Sequence, residues 1–165
     1  MSQLFTPITI RGETIPNRVW VSPMCQYSSE TEDGQCGPWH VVHYGSRAHG
    51  GAGLVMLEAT AVQPEGRITP WDLGLWSDDQ MESYAQVVEA IHAAGSTSAV
   101  QLAHAGRKAC HGKPWEGSNF LEPGQGGWDI VGPSPIKFED AWGTPNELSI
   151  EDIDAVVADF ASAAR

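Results

Sequence analysis

Residues Leu54 to Val62 read Leu-Val-Met-Leu-Glu-Ala-Thr-Ala-Val, an almost unbroken apolar run with a single carboxylate inside it. Apolar and polar residues do not alternate, so this is not a strand with one wet face. A bilayer-spanning helix needs ~20 apolar residues, and this run is far shorter. What fits is a parallel strand covered on both faces. Such a strand needs helices on its flanks, and the sequence supplies them. One helix is expected from Pro38, a proline at the first helical position after Gly37, to Gly50. A second starts at Ser77, which can cap it, with Gln80 three residues on completing a capping box. Met81, Tyr84, Ala85, Val88, Ile91 and His92 then follow at helical spacing, and Gly95 supplies the stop.

Two further strands flank this unit. Arg18-Val19-Trp20-Val21-Ser22 is an apolar, β-branched run cut off by Pro23, which cannot donate to a ladder. Ala99-Val100-Gln101-Leu102-Ala103 is the third strand. Residues 4–15 read as a hairpin, Leu4 to Ile10 and Thr14-Ile15 about a turn at Arg11-Gly12-Glu13. From Gly106 to Leu148 the chain is rich in Gly, Pro and Trp and has little periodicity, the mark of a long functional loop or capping segment. Ser149 with Asp152 opens a last helix with Ile153, Val156, Val157, Phe160, Ala161 and Ala164 on its apolar face, running to Arg165.

Alternation of strand and helix predicts an α/β fold with right-handed crossovers. Three parallel strands make a poor free-standing domain. The expectation is the first three βα units of a TIM (β/α)8 barrel, with an N-terminal hairpin and a long loop after strand three. Residues 1–165 would then be the N-terminal part of one barrel domain whose remainder lies beyond Arg165. In such barrels ligands bind past the carboxyl ends of the strands.

Charge and cysteine content narrow the partners. The net charge of −12 over 165 residues argues against nucleic acid and anionic membranes, despite a basic spot at Arg107-Lys108 and Lys113. The N-terminus has neither a basic flank nor an apolar stretch, so no signal peptide is expected. Cys25, Cys36 and Cys110 are odd in number and widely spaced, which reads as free thiols in a reducing cytoplasm.

Most motif readings fail on placement. Gly50-Gly51-Ala52-Gly53 precedes a strand, whereas a dinucleotide loop must follow one and open a helix. His40 and His43 share a helix face, and His104, Cys110 and His111 cluster after strand three. Neither set reaches the three or four convergent ligands zinc requires, so no metal site is expected, and the first pair reads as histidines at a helix surface or interface. No Gly-x-Ser-x-Gly elbow is present. Cys25 is either a small buried apolar residue or a functional thiol. Its context favours function, because Cys25, Ala59-Thr60 and Gln101 to His104 place small or polar groups at three strand ends. Gln101 is the sharpest case, since an amide inside an apolar run needs partners.

Several ordered motifs together resemble the Old Yellow Enzyme family, in its bacterial thermophilic-like subgroup. They are Ser22-Pro23-Met24-Cys25-Gln26-Tyr27, Glu58-Ala59-Thr60-Ala61-Val62, Pro64-Glu65-Gly66-Arg67-Ile68-Thr69, Leu75-Trp76-Ser77-Asp78 and Gln101-Leu102-Ala103-His104-Ala105-Gly106-Arg107-Lys108. Lys113-Pro114-Trp115-Glu116-Gly117 is similar to its xenobiotic reductases. The resemblance covers essentially the whole chain. It implies an FMN-dependent ene-reductase, driven by NADPH or NADH, that reduces the C=C bond of small enones. Ser22, Pro23, Met24 and Cys25 would wrap the isoalloxazine ring, with Cys25 tuning its redox behaviour. Ala59 and Gln101 would contact its pyrimidine side, and Tyr27 would face the substrate. The family's substrate-binding pair, a further tyrosine, an arginine and the phosphate loops have no counterpart before Arg165. Activity is therefore expected only with a complementary C-terminal barrel fragment. The rival reading is a non-catalytic half-barrel that pairs with a second copy as a binding or structural module.

Overall fold

The computed structural model describes residues 2–165. Arg11 (φ 50°) and Gly12 (φ 99°) both take left-handed backbone, as a two-residue hairpin turn of the primed kind requires. They join β1 (Ile8–Ile10) to β2 (Glu13–Ile15), with Ile8 opposite Ile15. The hairpin is shorter than the sequence suggests. Gln3–Phe5 form a 3₁₀ turn instead of strand. The Ser2 hydroxyl accepts from the Leu4 amide and the Thr6 hydroxyl donates to the Gln3 carbonyl, local bonds that compete with a ladder.

The main sheet is parallel. β3 (Trp20–Val21) and α1 (Pro38–His49) lead into β4 (Leu54–Ala61). β5 (Leu73–Gly74), which the sequence reading missed, lies against the carboxyl end of β4, with Thr60 opposite Leu73. α2 (Met81–Ala93) returns the chain to β6 (Thr97–Ala103), which starts earlier than expected. β4 sits between β3 and β6, so the three long-expected strands lie in chain order. The capping box lies where the sequence indicates, but α2 itself begins one turn later, at Met81. Ser77 caps a short 3₁₀ turn, and the Gln80 side chain accepts the Ser77 amide at 3.2 Å.

Helices cover only the outer face. Tyr44 and Ala48 of α1 and Tyr84, Val87 and Ile91 of α2 pack on Val55 and Leu57. The opposite side is open: Trp20 and Met24 are 43 and 51 % exposed. Among the described residues, β3 and β6 each pair on one side only. α3 (Ile150–Ala163) is capped by Ser149 and Asp152 as expected, yet none of its residues is buried. Its Ile153, Val156, Val157 and Phe160 line an apolar groove with His104 and Leu148.

Residues 106–148 are not a loose loop. Ala109, Cys110, Ile130 and Trp142 form a second core, with Phe120, Leu121 and Trp128 packed on it. β7 (Val131–Gly132) pairs with β8 (Asn146–Glu147) at its rim. Arg67 fastens this unit to the barrel end. Its guanidinium lies 4.9 Å from the Trp128 ring and 5.4 Å from that of Trp76, and donates to the carbonyls of Glu32, Pro64 and Pro70. Trp142 is the keystone of the second core, touching Phe120, Phe138 and His111 and donating to the Ala109 carbonyl. Trp142→Ala should cost about 3–5 kcal/mol of local stability. Limited proteolysis should then cut first between Gly106 and Leu148. Unchanged protection there would show that this core is dispensable.

Candidate active site

Because β3, β4 and β6 are parallel, their carboxyl ends lie at one edge of the sheet. Ser22 to Tyr27 leave β3 at that edge. Ala59 and Gln101 stand directly opposite each other on β4 and β6, so their side chains share a face. The segment after β3 and the two strand ends beside it are thus brought together.

A β-bulge decides what each side of β4 presents. The register slips between Leu57 and Ala59. Leu57 packs into the helix-facing core, and Glu58 beside it also turns outward, accepting from the Tyr44 hydroxyl at 2.5 Å. Thr60 meets the Tyr84 hydroxyl on the same outer side. Two consecutive outward residues free Ala59 to face the other way, toward the open inner side. Bulges commonly re-aim side chains beside functional sites.

The segment after β3 is held from several directions. Tyr27 has φ 51°, a left-handed conformation that costs a non-glycine residue energy. The Gln26 amide donates to the Glu58 carboxylate at 2.8 Å. The Gln26 side chain donates back to the Met24 carbonyl and accepts weakly from the Trp39 indole. Tyr27 packs edge-on against Trp115 from the second core, with centroids 5.9 Å apart. Lys113 lies 4.5 Å over Trp71 and 3.7 Å from Glu30.

Electrostatics assign protonation. Burial, with help from the Asp72 and Glu58 carboxylates, pushes the Cys25 thiol up to about 11. It is therefore a neutral donor at physiological pH and not a nucleophile. Burial, then the neighbouring Cys25 and Asp72, raises Tyr27 to about 12, so it too keeps its proton. Both groups can donate a hydrogen bond.

The structure sharpens some sequence expectations. Gln101 lies on an open strand edge and is exposed, so among the described residues its amide is left for a partner outside them, as the sequence reading allows. His40 and His43 are buried, at 0 and 6 % exposure, which agrees with the interface reading of this pair and excludes the surface one. His40 Nδ1 accepts the Gly37 amide at the start of α1, and burial lowers its pKa to about 4. His104, Cys110 and His111 each bond elsewhere: His104 to Gln63, Cys110 to the Leu121 carbonyl, His111 to the Gly112 carbonyl. Among the described residues no group of three or more His, Cys, Asp or Glu is arranged to hold a metal, and no helix is long and apolar enough to cross a membrane. Glu58 was passed over as a strand residue. Its signal was visible: a lone carboxylate in an apolar run must be solvated by protein groups.

The fit to FMN can be judged on these observations. A flavin ring needs apolar walls and a few aimed donors and acceptors. Pro23, Met24 and Ala59 offer apolar surface on the open side. The protonated Cys25 thiol offers a donor, and the exposed Gln101 amide offers both a donor and an acceptor, held by no side chain among the described residues. The residues fit the group.

Relatives agree. An NADPH dehydrogenase of Bacillus subtilis (strain 168) is 46 % identical over 162 residues, 98 % of this chain and 44 % of the relative. One of Listeria monocytogenes serotype 4a is also 46 % identical, over 164 residues. Morphinone reductase superposes with a TM-score of 0.79 at 33 % identity, covering 98 % of this chain and 43 % of that one. The old yellow enzyme homologue from Zymomonas mobilis gives 0.79 at 28 % identity, over 99 and 44 %. The chain thus spans less than half the length of these relatives and folds as the first three βα units of their barrel. The pattern of the NADH:flavin oxidoreductase / NADH oxidase family matches residues 3–165, and the chain belongs to that family.

Proposed function

We propose that this chain forms one side of the mouth of an FMN-dependent ene-reductase that takes its electrons from NADPH or NADH. It acts once strands supplied by a further barrel segment close the sheet. The carrying observation is the convergence of Ser22–Tyr27, Ala59 and Gln101 at one edge of a parallel sheet, on the side the helices leave open.

Bound FMN would supply hydride transfer to the β-carbon of an enone. The protein's part is binding and orientation. Pro23, Met24 and Ala59 would wall the ring, Gln101 would pair with its pyrimidine edge, and Ser22 would add a hydroxyl at its margin. The Cys25 thiol stays protonated and donates. The Tyr27 phenol, held rigid by its own backbone turn and by Trp115, would donate toward a substrate carbonyl. Burial of Cys25 and Tyr27 keeps those donors unchanged across the physiological range.

The direct test is production of the closed barrel, followed by anaerobic mixing with NADPH and a simple cyclic enone. A yellow protein that consumes the enone's absorbance supports the proposal. A barrel that folds yet retains no FMN overturns it. Cys25→Ala sharpens the test. Losing one donor worth ~1 kcal/mol should lower the two-electron flavin potential by about 20 mV and shift the visible spectrum. Cys36→Ala and Cys110→Ala should leave both unchanged. Equal shifts from all three would remove any special place for Cys25.

A further inference from the structure

Glu58 is 1 % exposed, yet it carries a carboxylate. It faces the helix side of β4, away from the proposed flavin face. Its Oε1 accepts the Gln26 amide at 2.8 Å, and its Oε2 accepts the Tyr44 hydroxyl at 2.5 Å. The Tyr44 hydroxyl also accepts the Glu58 amide at 3.0 Å, the amide that the bulge withdraws from the ladder. One side chain therefore ties three things together: the bulge in β4, the helix α1, and the segment carrying Cys25 and Tyr27. A buried carboxylate is costly and is kept only where its bonds are made in full. Here they are made to a backbone segment with a strained residue, Tyr27, next in line.

We propose that Glu58 is a positioning residue: it pins the Gln26 amide to α1 through Tyr44 and thereby fixes where the Cys25 thiol and the Tyr27 phenol stand. This rests on the functional reading above only in naming what those two groups serve.

The surroundings make the clamp responsive to pH. Burial raises Glu58 to about 7, against the lowering effect of the bonds from Tyr44 and the Gln26 amide. The groups facing it are few. His40 of α1 has Nε2 3.9 Å from Oε2 and is neutral at physiological pH. From α2, Tyr84 is held well above its ordinary value by burial. Cys36, ahead of α1, is pushed up to about 12 by burial. Asp72, beyond β4, is raised to about 6 by burial and adds negative charge above that pH. Cys25 and Tyr27 complete the set. Glu58 is thus the group in this cluster that changes charge near neutrality. Its ionised form raises the Cys25 pKa, as does that of Asp72.

The test reads the thiol directly and needs no flavin. Cys25 alkylation by iodoacetamide is followed by peptide mapping in the closed barrel, with and without FMN, from pH 5.5 to 9. Thiolate is the reactive form, so each added negative charge nearby slows the reaction. In the parent protein the log-rate profile should bend near pH 7 as Glu58 ionises, above a separate bend from Asp72. Glu58→Gln should remove the upper bend and keep the lower one. Alkylation at pH 8 should be about three- to tenfold faster in that variant, and unchanged at pH 5.5. Tyr44→Phe, which deletes a bond that favours the carboxylate, should move the upper bend to higher pH. A purely structural Glu58 would affect stability only, and the parent profile would hold no bend near pH 7 for either variant to remove or move. A parent profile without the upper bend, or one that Glu58→Gln does not change, overturns the proposal. Failure to hold FMN, with the bend intact, would instead overturn the functional reading and spare this one.

Discussion

Produced on its own, the 165-residue chain is expected to elute well above monomer size and to melt without a cooperative transition. The cause is the uncovered inner side of its sheet. Among the described residues β3 and β6 are both edges, and Trp20 and Met24 are exposed beside them. Apolar, unpaired edges such as that of the seven-residue β6 recruit other strands. α3 adds to this, with Ile150 and Val157 exposed at 70 and 62 %. Mixing with a second polypeptide carrying the remaining barrel strands should convert the aggregate into a one-to-one, yellow complex in FMN. Size-exclusion chromatography with absorbance at the flavin band reads both steps. A colourless, defined self-assembly would favour a binding or structural module. A monodisperse monomer with a sharp melt would refute the idea that these edges need a partner.

The second large effect separates cofactor from substrate contacts. Gln101→Ala in the closed barrel should weaken FMN binding by about ten- to a hundredfold, since an unpaired buried polar edge costs roughly 1–3 kcal/mol. The exposed Gln101 amide is free to make that bond because no protein side chain competes for it among the described residues. Tyr27→Phe should leave FMN dissociation nearly unchanged and lower kcat/KM for enones. The Tyr27 ring stays wedged against Trp115 without its hydroxyl, so the shape survives and only the donor is lost. Measurement of FMN dissociation and steady-state enone reduction in both variants gives the answer. If Tyr27→Phe sheds FMN while Gln101→Ala keeps it, the two roles have been exchanged.

Sequence reading succeeded where one local rule dominated. Pro23 ended β3, Ser77 with Gln80 started the second helix, and Ser149 with Asp152 started the third, since each rests on a few adjacent atoms. It missed what depends on distant partners. β5 is two residues held only by the end of β4, with nothing in Leu73-Gly74 to announce a strand. The bulge leaves no trace in composition, because Leu57, Glu58 and Ala59 are unremarkable neighbours until their registers are compared. Residues 106–148 lack periodicity because their core is assembled from scattered aromatics, Phe120, Trp128 and Trp142, and not from one face of an element. The need of the Gln101 amide for partners is legible from its apolar neighbours, but its exposure is not, because that depends on which strands pair with β6. For the candidate site, the strand-end residues could be found from sequence, but the carboxylate behind them could not be placed.

The bulge also makes the upper part of β4 intolerant of tidying. Removing a single residue between Leu57 and Ala59 would restore an uninterrupted ladder with β6. The strand would look more regular and Ala59 and Thr60 would keep their sides, since Leu57 and Ala59 already face opposite ways, but the carboxylate that receives the Gln26 amide and the Tyr44 hydroxyl would be gone. For anyone recombining homologous barrels at this strand, a crossover that preserves the face pattern of β4 can still discard Glu58, so the extra residue has to be carried across together with Tyr44.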